Sequence, residues 1–321
     1  MNSRIRDLGI PKLFLIGCQP PSVPTRAGGY AALYNGMSNI KAKDFNLAHT
    51  LECGQIFRVN KVDGWYFVNA LDKFFKIKQV RNEIEFHGVD KEFVVYFFSL
   101  NENLPEILKE INKDKYIEKS IDKYRGLRLI KQDPWECLIS FICSSASNIP
   151  RIKSKLKALS ERFGEKITLD EVRDYTFPLP GKMNDYEKIL DAKTGFRARY
   201  ILEANNTVDI KHLNSLRTQP YNLAKNELKK INGVGDKVAD CILLFALGFN
   251  QAFPVDTWIK KTMQLLYFDN NIVSNDRIRE FGLDHFGTYA GYAQQYLFMY
   301  SRNDLGTSDR LAKWKTGAPG I

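Results

Sequence analysis

One stretch, residues 228–256, restricts what this chain can fold into more than any other. It begins Leu228-Lys229-Lys230-Ile231-Asn232-Gly233-Val234-Gly235-Asp236-Lys237. Two glycines two positions apart separate a helical segment that ends near Lys230 from a second one. Along the second segment Val238, Cys241, Ile242 and Phe245 recur at helical spacing. So tight a reversal needs residues without a Cβ. It leaves backbone N–H groups of Gly233, Val234 and Gly235 bare at a helix N-terminus, where they attract an anion such as a phosphate. Lys237 falls in the first turn of the second helix. There the positive end of the helix dipole disfavours an ammonium and favours the neutral, nucleophilic amine. Asp256 follows Pro254-Val255, nineteen positions on, at the start of the next helical pattern. Read alone, the lysine is more often a solvated surface charge, and the aspartate a plain N-cap.

At 321 residues the chain has room for two or three domains with full cores. Its 44% apolar and 26% charged residues are those of an ordinary globular protein, and a formal charge of +10 points to a polyanionic partner. Five cysteines (Cys18, Cys53, Cys137, Cys143, Cys241) show neither paired metal spacing nor a disulfide framework, which suits a reducing, intracellular setting. No run approaches the ~18 apolar residues of a membrane span.

Residues 1–37, with their cluster of prolines and glycines, read as a leader or disordered extension. An N-terminal α+β domain is expected over 38–130. Short aromatic and β-branched runs at 55–59, 65–71, 74–80 and 83–87 predict an antiparallel meander with Phe74 or Phe75 inward. Helices follow at 91–100 and 105–115, and 127–130 returns to the sheet. At Gln132-Asp133-Pro134-Trp135-Glu136 the pattern turns helical, with Asp133 as N-cap and Pro134 at the first position. A mostly helical domain is expected over 131–302, with helices at 149–163, 169–175, 196–204, 210–217, 221–230, 258–266, 275–286 and 289–300. A helix–hairpin–helix occupies 221–247, and a C-terminal tail 303–321.

The run Ile231 to Lys237 followed by Pro254-Val255-Asp256 resembles the signature of the helix–hairpin–helix DNA glycosylases, with Asn232 where proline is usual. Lys237-Val238-Ala239-Asp240-Cys241 and Asp133-Pro134-Trp135-Glu136-Cys137 are most similar to the 8-oxoguanine DNA glycosylase branch, a likeness that spans roughly 45–300. The resemblance implies an α+β fold: an antiparallel β-sheet domain with helices, then the helical glycosylase core. It also implies a monomeric enzyme that acts on double-stranded DNA containing 8-oxoguanine and needs neither metal nor cofactor. Lys237 would be the nucleophile and Asp256 its carboxylate partner.

The same likeness assigns the base pocket to Gly54, Cys241, Gln294 and Phe298. The Gly54 carbonyl would accept the N7–H of 8-oxoguanine and repel the N7 lone pair of guanine. Cys241 and Phe298 would sandwich the base, and Gln294 would read its Watson–Crick edge. Without the likeness, Cys241 and Phe298 are core residues on apolar helix faces. The orphaned cytosine would meet Arg151 and Arg197, beside a wedge at Phe196, where tyrosine is usual. Family members carry Asn-Asn-Asn where this chain has Ala146-Ser147-Asn148, so Ala146 implies a looser demand for cytosine. Trp258 stands where histidine usually approaches the 5′ phosphate.

Two alternatives remain at this level. One is a non-catalytic helix–hairpin–helix DNA-binding protein, and the other a glycosylase of this fold for a different damaged base. Relatives with an iron–sulfur site carry four cysteines after the aspartate, and none follows Cys241 here.

Overall fold

The computed structural model describes residues 36–305. The expected leader lies outside the described residues except for its last two positions, as does the expected tail except for its first three.

The N-terminal part is a five-stranded antiparallel sheet in the order β1-β5-β4-β3-β2. Its strands are β1 (Ser38–Lys41), β2 (Val59–Val62), β3 (Trp65–Ala70), β4 (Lys73–Val80) and β5 (Glu83–His87), with α1 (Leu47–Glu52) between the first two and α2 (Lys91–Phe97) after the last. The register pairs Val68 with Phe75, Ile77 with Phe86 and Ile40 with Ile84, which lays one apolar face against Leu51, Val94 and Phe97. The meander is as expected, but two details differ. Phe74 and Phe75 are both buried, because the second face is covered as well. The segment 55–58 is not strand: Gln55 is fully buried, and its side chain donates to the Thr50 and Arg128 carbonyls and accepts from the Ile130 N–H. The same side-chain link satisfies 127–130, which therefore crosses the fold without joining the sheet. Strand β1 and helix α1 were not foreseen, the strand being short and polar.

Next come α3 (Leu104–Ile111) and α4 (Lys115–Lys123). Their apolar residues, with Leu127 and Leu129, are buried with the helical core rather than with the sheet. Helix α5 (Pro134–Ile142) is the centre of that core. Asp133 caps it by accepting from the Glu136 N–H at 2.8 Å, and Trp135 donates to the Pro178 carbonyl at 2.9 Å. After α6 (Ile149–Phe163), the expected helix at 169–175 is instead a hairpin of β6 (Lys166–Leu169) and β7 (Val172–Tyr175). Its turn residue Asp170 has φ +52 and pairs with Lys76 of β4 at 2.6 Å, and Asn69 of β3 donates to the Tyr175 carbonyl. The hairpin thus gives the second face of the sheet, which carries Phe74 beside Asn69 and Lys76, its partner, and tertiary contacts override the helical pattern.

The remaining helices are α7 (Tyr186–Ile189), α8 (Arg197–Thr207), α9 (Ile210–Ser215), α10 (Tyr221–Lys229), α11 (Asp236–Ile242), α12 (Thr257–Tyr267), α13 (Asn275–Phe286) and α14 (Ala290–Tyr300). Gly233 has φ +87, and a Cβ there would stand 2.8 Å from the Tyr200 ring, so the hairpin between α10 and α11 needs glycine on both counts. Among the described residues no helix is long and apolar enough to cross a membrane.

Candidate active site

Helix α11 is anchored from behind before it presents anything in front. Asp240 on its far side is fully buried and takes three donors: Tyr221 Oη at 2.6 Å, Lys225 Nζ at 3.0 Å and Arg279 Nε at 2.7 Å. These come from α10 and α13, so three helices share one carboxylate. On the near side Lys237 reaches into a cleft of about 1310 Å³. Its Nζ donates to Ser144 Oγ at 2.9 Å and stands 4.8 Å from the centroid of the Phe141 ring. Ser144 passes the bond on to the Phe141 carbonyl at 2.6 Å.

Asp256 opens onto the same cleft. It is the N-cap of α12 and accepts from the Ile259 N–H at 2.8 Å. Burial holds its carboxyl above the usual carboxylate value, against the opposing pull of the Ile259 amide and the Lys237 charge. Asp256 therefore caps a helix and lies within the field of the lysine.

One helical turn beyond Lys237, Cys241 is buried on the cleft wall, and burial pushes its thiol up to about 12, so it stays neutral. Gly54 lines the same cleft with φ +87, in a notch where a Cβ would meet Ile149 Cδ1 at 2.9 Å and the Phe298 ring at 3.5 Å. Gln294 is buried, and its Nε2 donates to the Pro254 carbonyl at 3.1 Å. That bond fixes the orientation of the amide, and Oε1 is left buried without a donor. Gly233, Gly235 and Trp258 line the same cleft, whereas Val234 turns its side chain into the core.

The family model described as "8-oxoguanine DNA glycosylase, N-terminal domain" matches residues 37–138. The N-glycosylase/DNA lyase of Saccharomyces cerevisiae is 30% identical over 332 residues, covering 85% of this chain and 87% of that one. The chain belongs to the 8-oxoguanine DNA glycosylase family. A probable N-glycosylase/DNA lyase of Methanothermobacter thermautotrophicus is 32% identical over 248 residues, 69% of this chain and 77% of that one. The 8-oxoguanine glycosylase/lyase of Clostridium acetobutylicum, solved with double-stranded DNA containing cytosine opposite 8-oxoG, superposes with a TM-score of 0.77 at 33% identity and covers 84% of this chain and 98% of that one.

The residues expected from the sequence resemblance to meet the opposite base are less closely gathered. Ala146 and Asn148 line the cleft, but Arg151, Phe196 and Arg197 do not. Arg151 is exposed in the first turn of α6, and Phe196 is 60% exposed. Arg197 is buried and turned back: it donates to the Thr194, Ser145 and Ala146 carbonyls, its guanidinium lies 4.2 Å from the centre of the Phe196 ring, and its Nε is buried without a partner. Lys155 holds the same loop from below by donating to Ser147 Oγ at 2.7 Å. Ala146 itself has φ +45, an unfavourable region for a residue with a Cβ.

Among the described residues no group of three or more His, Cys, Asp or Glu side chains is placed to hold a metal ion. Sequence reasoning missed Ser144, Phe141 and Asp240. The first two meet Lys237 from about a hundred positions away, and only the Lys-Val-Ala-Asp-Cys run hinted at the third.

Proposed function

We propose that this chain is a bifunctional DNA glycosylase/AP lyase that excises 8-oxoguanine from duplex DNA, with Lys237 as nucleophile. The observation that carries the reading is that Lys237 and Asp256, each at a helix N-terminus, face one cleft together with an unpaired Gln294 carbonyl. That carbonyl suits the N1–H and N2–H donors of a guanine-type edge and rejects the N1 lone pair of adenine. No described residue donates to the Gly54 carbonyl, which is left to accept the N7–H that 8-oxoguanine has and guanine lacks. Such a swap of a hydrogen bond for a lone-pair clash discriminates by roughly 1–3 kcal/mol.

Lys237 leaves Ser144 and, as the neutral amine, attacks C1′ of the extruded nucleotide. The C1′–N9 bond breaks with its electron pair on the base, and the base then takes up a proton. Nζ loses its proton as the sugar ring opens to the Schiff base. Loss of a C2′ proton expels the 3′ phosphate and cuts the strand. Asp256, as the carboxylate, stabilises the cationic sugar of the first step. Gly233 and Gly235 grip the backbone through their N–H groups, which positions the duplex without reading its sequence; the Val234 N–H, expected to be bare as well, is instead taken by the Ile231 carbonyl at 3.0 Å. Trp258 lines the same cleft, at the position the resemblance gives to a 5′-phosphate contact. The work is done inside the cell, with chromosomal DNA.

The opposite-base loop supports a relaxed preference. Ala146 is too short to fill the gap left by the flipped base, and Arg197 must release backbone carbonyls before it reaches a cytosine, while Arg151 is free to approach.

Borohydride trapping on 8-oxoguanine duplex, beside an undamaged guanine control, tests the chemistry. A covalent band is expected with the lesion only, and Lys237→Gln should abolish it, with excision lowered on the order of 10³-fold or more. Lesion binding with no trapped species would instead support a binding module.

A further inference from the structure

Arg302 is a cleft residue that the mechanism above does not use. It lies on the π-helical turn Ser301–Leu305 after α14. Its guanidinium is fixed from one side: Nη2 donates to the Glu52 carbonyl at 2.8 Å and to Met299 Sδ at 3.3 Å, and Nε donates to Asn303 Oδ1 at 3.1 Å. The head sits 5.6 Å from the centroid of the Phe298 ring. Nη1 has no partner among the described residues, and a Cβ on Gly54 would lie 3.4 Å from it. A held cation therefore presents a free donor beside the glycine whose carbonyl takes N7–H.

In 8-oxoguanine that N7–H is flanked by two carbonyl oxygens, O8 and O6. A base seated on Phe298 with N7–H at Gly54 brings this edge to Nη1. We propose that Arg302 donates to an oxygen flanking N7–H and is a specificity-determining residue of the base pocket; the inference rests on the 8-oxoguanine reading. As C1′–N9 breaks, the electron pair left on N9 spreads into the ring and its oxygens. A fixed guanidinium beside them stabilises the departing base more than the intact nucleoside. An abasic sugar carries no such edge, so cutting at a preformed abasic site makes no demand on Arg302.

The test is Arg302→Met, which keeps apolar cover on Phe298 and removes every donor, with Arg302→Lys as the charge-retaining partner. Single-turnover excision of 8-oxoguanine is read beside strand cutting at a preformed abasic site in the same duplex. The expected result is excision lowered roughly 10- to 100-fold in the Met variant, the scale of one hydrogen bond to a charged group, with partial recovery in the Lys variant. Abasic cutting stays at the wild-type rate and reports that the variant is folded. An equal fall in both activities would assign Arg302 to structure alone, and unchanged excision would remove it from the pocket. Wild-type protein that cuts abasic sites but spares 8-oxoguanine would overturn the base assignment itself, and this inference with it.

Discussion

Lys237, Cys241 and Asp256 sit on helix ends pinned by buried partners, whereas Ala146, Asn148, Arg151 and Phe196 sit on loop segments and exposed first turns. On the lesion side every polar group is either fixed or left open in a way that a damaged guanine would complete. The Gln294 amide is locked at one end and vacant at the other. On the orphan side the groups are engaged with their own loop: Arg197 holds its carbonyls, Lys155 holds Ser147, and Ala146 bears a strained backbone. On the proposed reading, the contrast means that recognition of the damage is preorganised, while recognition of the opposite base requires rearrangement.

The sharpest way to break this contrast is at Asp256. Asp256→Asn keeps the helix cap, since asparagine caps as well as aspartate, but removes the charge, so excision should fall on the order of 10²-fold or more. Stability should move the other way. The carboxyl is held above its ordinary value of 3.8, so the folded state binds the proton more tightly than the unfolded one. The wild type therefore loses stability as pH rises from that ordinary value through the raised one. The Asn variant should melt above wild type at neutral pH, and the gap should close as pH falls below the ordinary carboxylate value. A melting series across pH checks the sign.

A smaller effect is expected at Gly54. Gly54→Ala places a methyl group against Ile149 and Phe298 at a left-handed φ, which costs about 1–3 kcal/mol of stability by denaturant titration. Excision should drop further than abasic cutting, because the methyl enters only the base slot. The smallest change sharpens the orphan side: Ala146→Asn puts a residue that tolerates φ +45 on the strained turn and should stabilise the fold by roughly 0.5–1 kcal/mol. Excision measured opposite each of the four bases should then narrow toward cytosine. A wild type already confined to cytosine would show that other residues replace the missing asparagine.

The lesion side was also the more legible in sequence. Turn glycines, a lysine one turn before a cysteine and an aspartate after Pro-Val are local patterns whose geometry follows from helix periodicity. The pattern 169–175 misled, because Leu169, Val172 and Tyr175 recur every third position as on one face of a helix; Lys76 and Asn69, distant in sequence, decide for a hairpin. Ser144 could not be read as a partner of Lys237 across 93 positions. Nor could the strain at Ala146, which only backbone angles reveal.

The carboxylate of Asp240 has an evolutionary corollary. With the nucleophile's helix moored through its rear, the station of the lysine is set apart from the residues that shape the slot in front. Positions 294, 298 and 302 can change toward other modified purines while the lysine keeps its station. Retargeting such a repair enzyme becomes a matter of refitting the slot around an unmoved warhead.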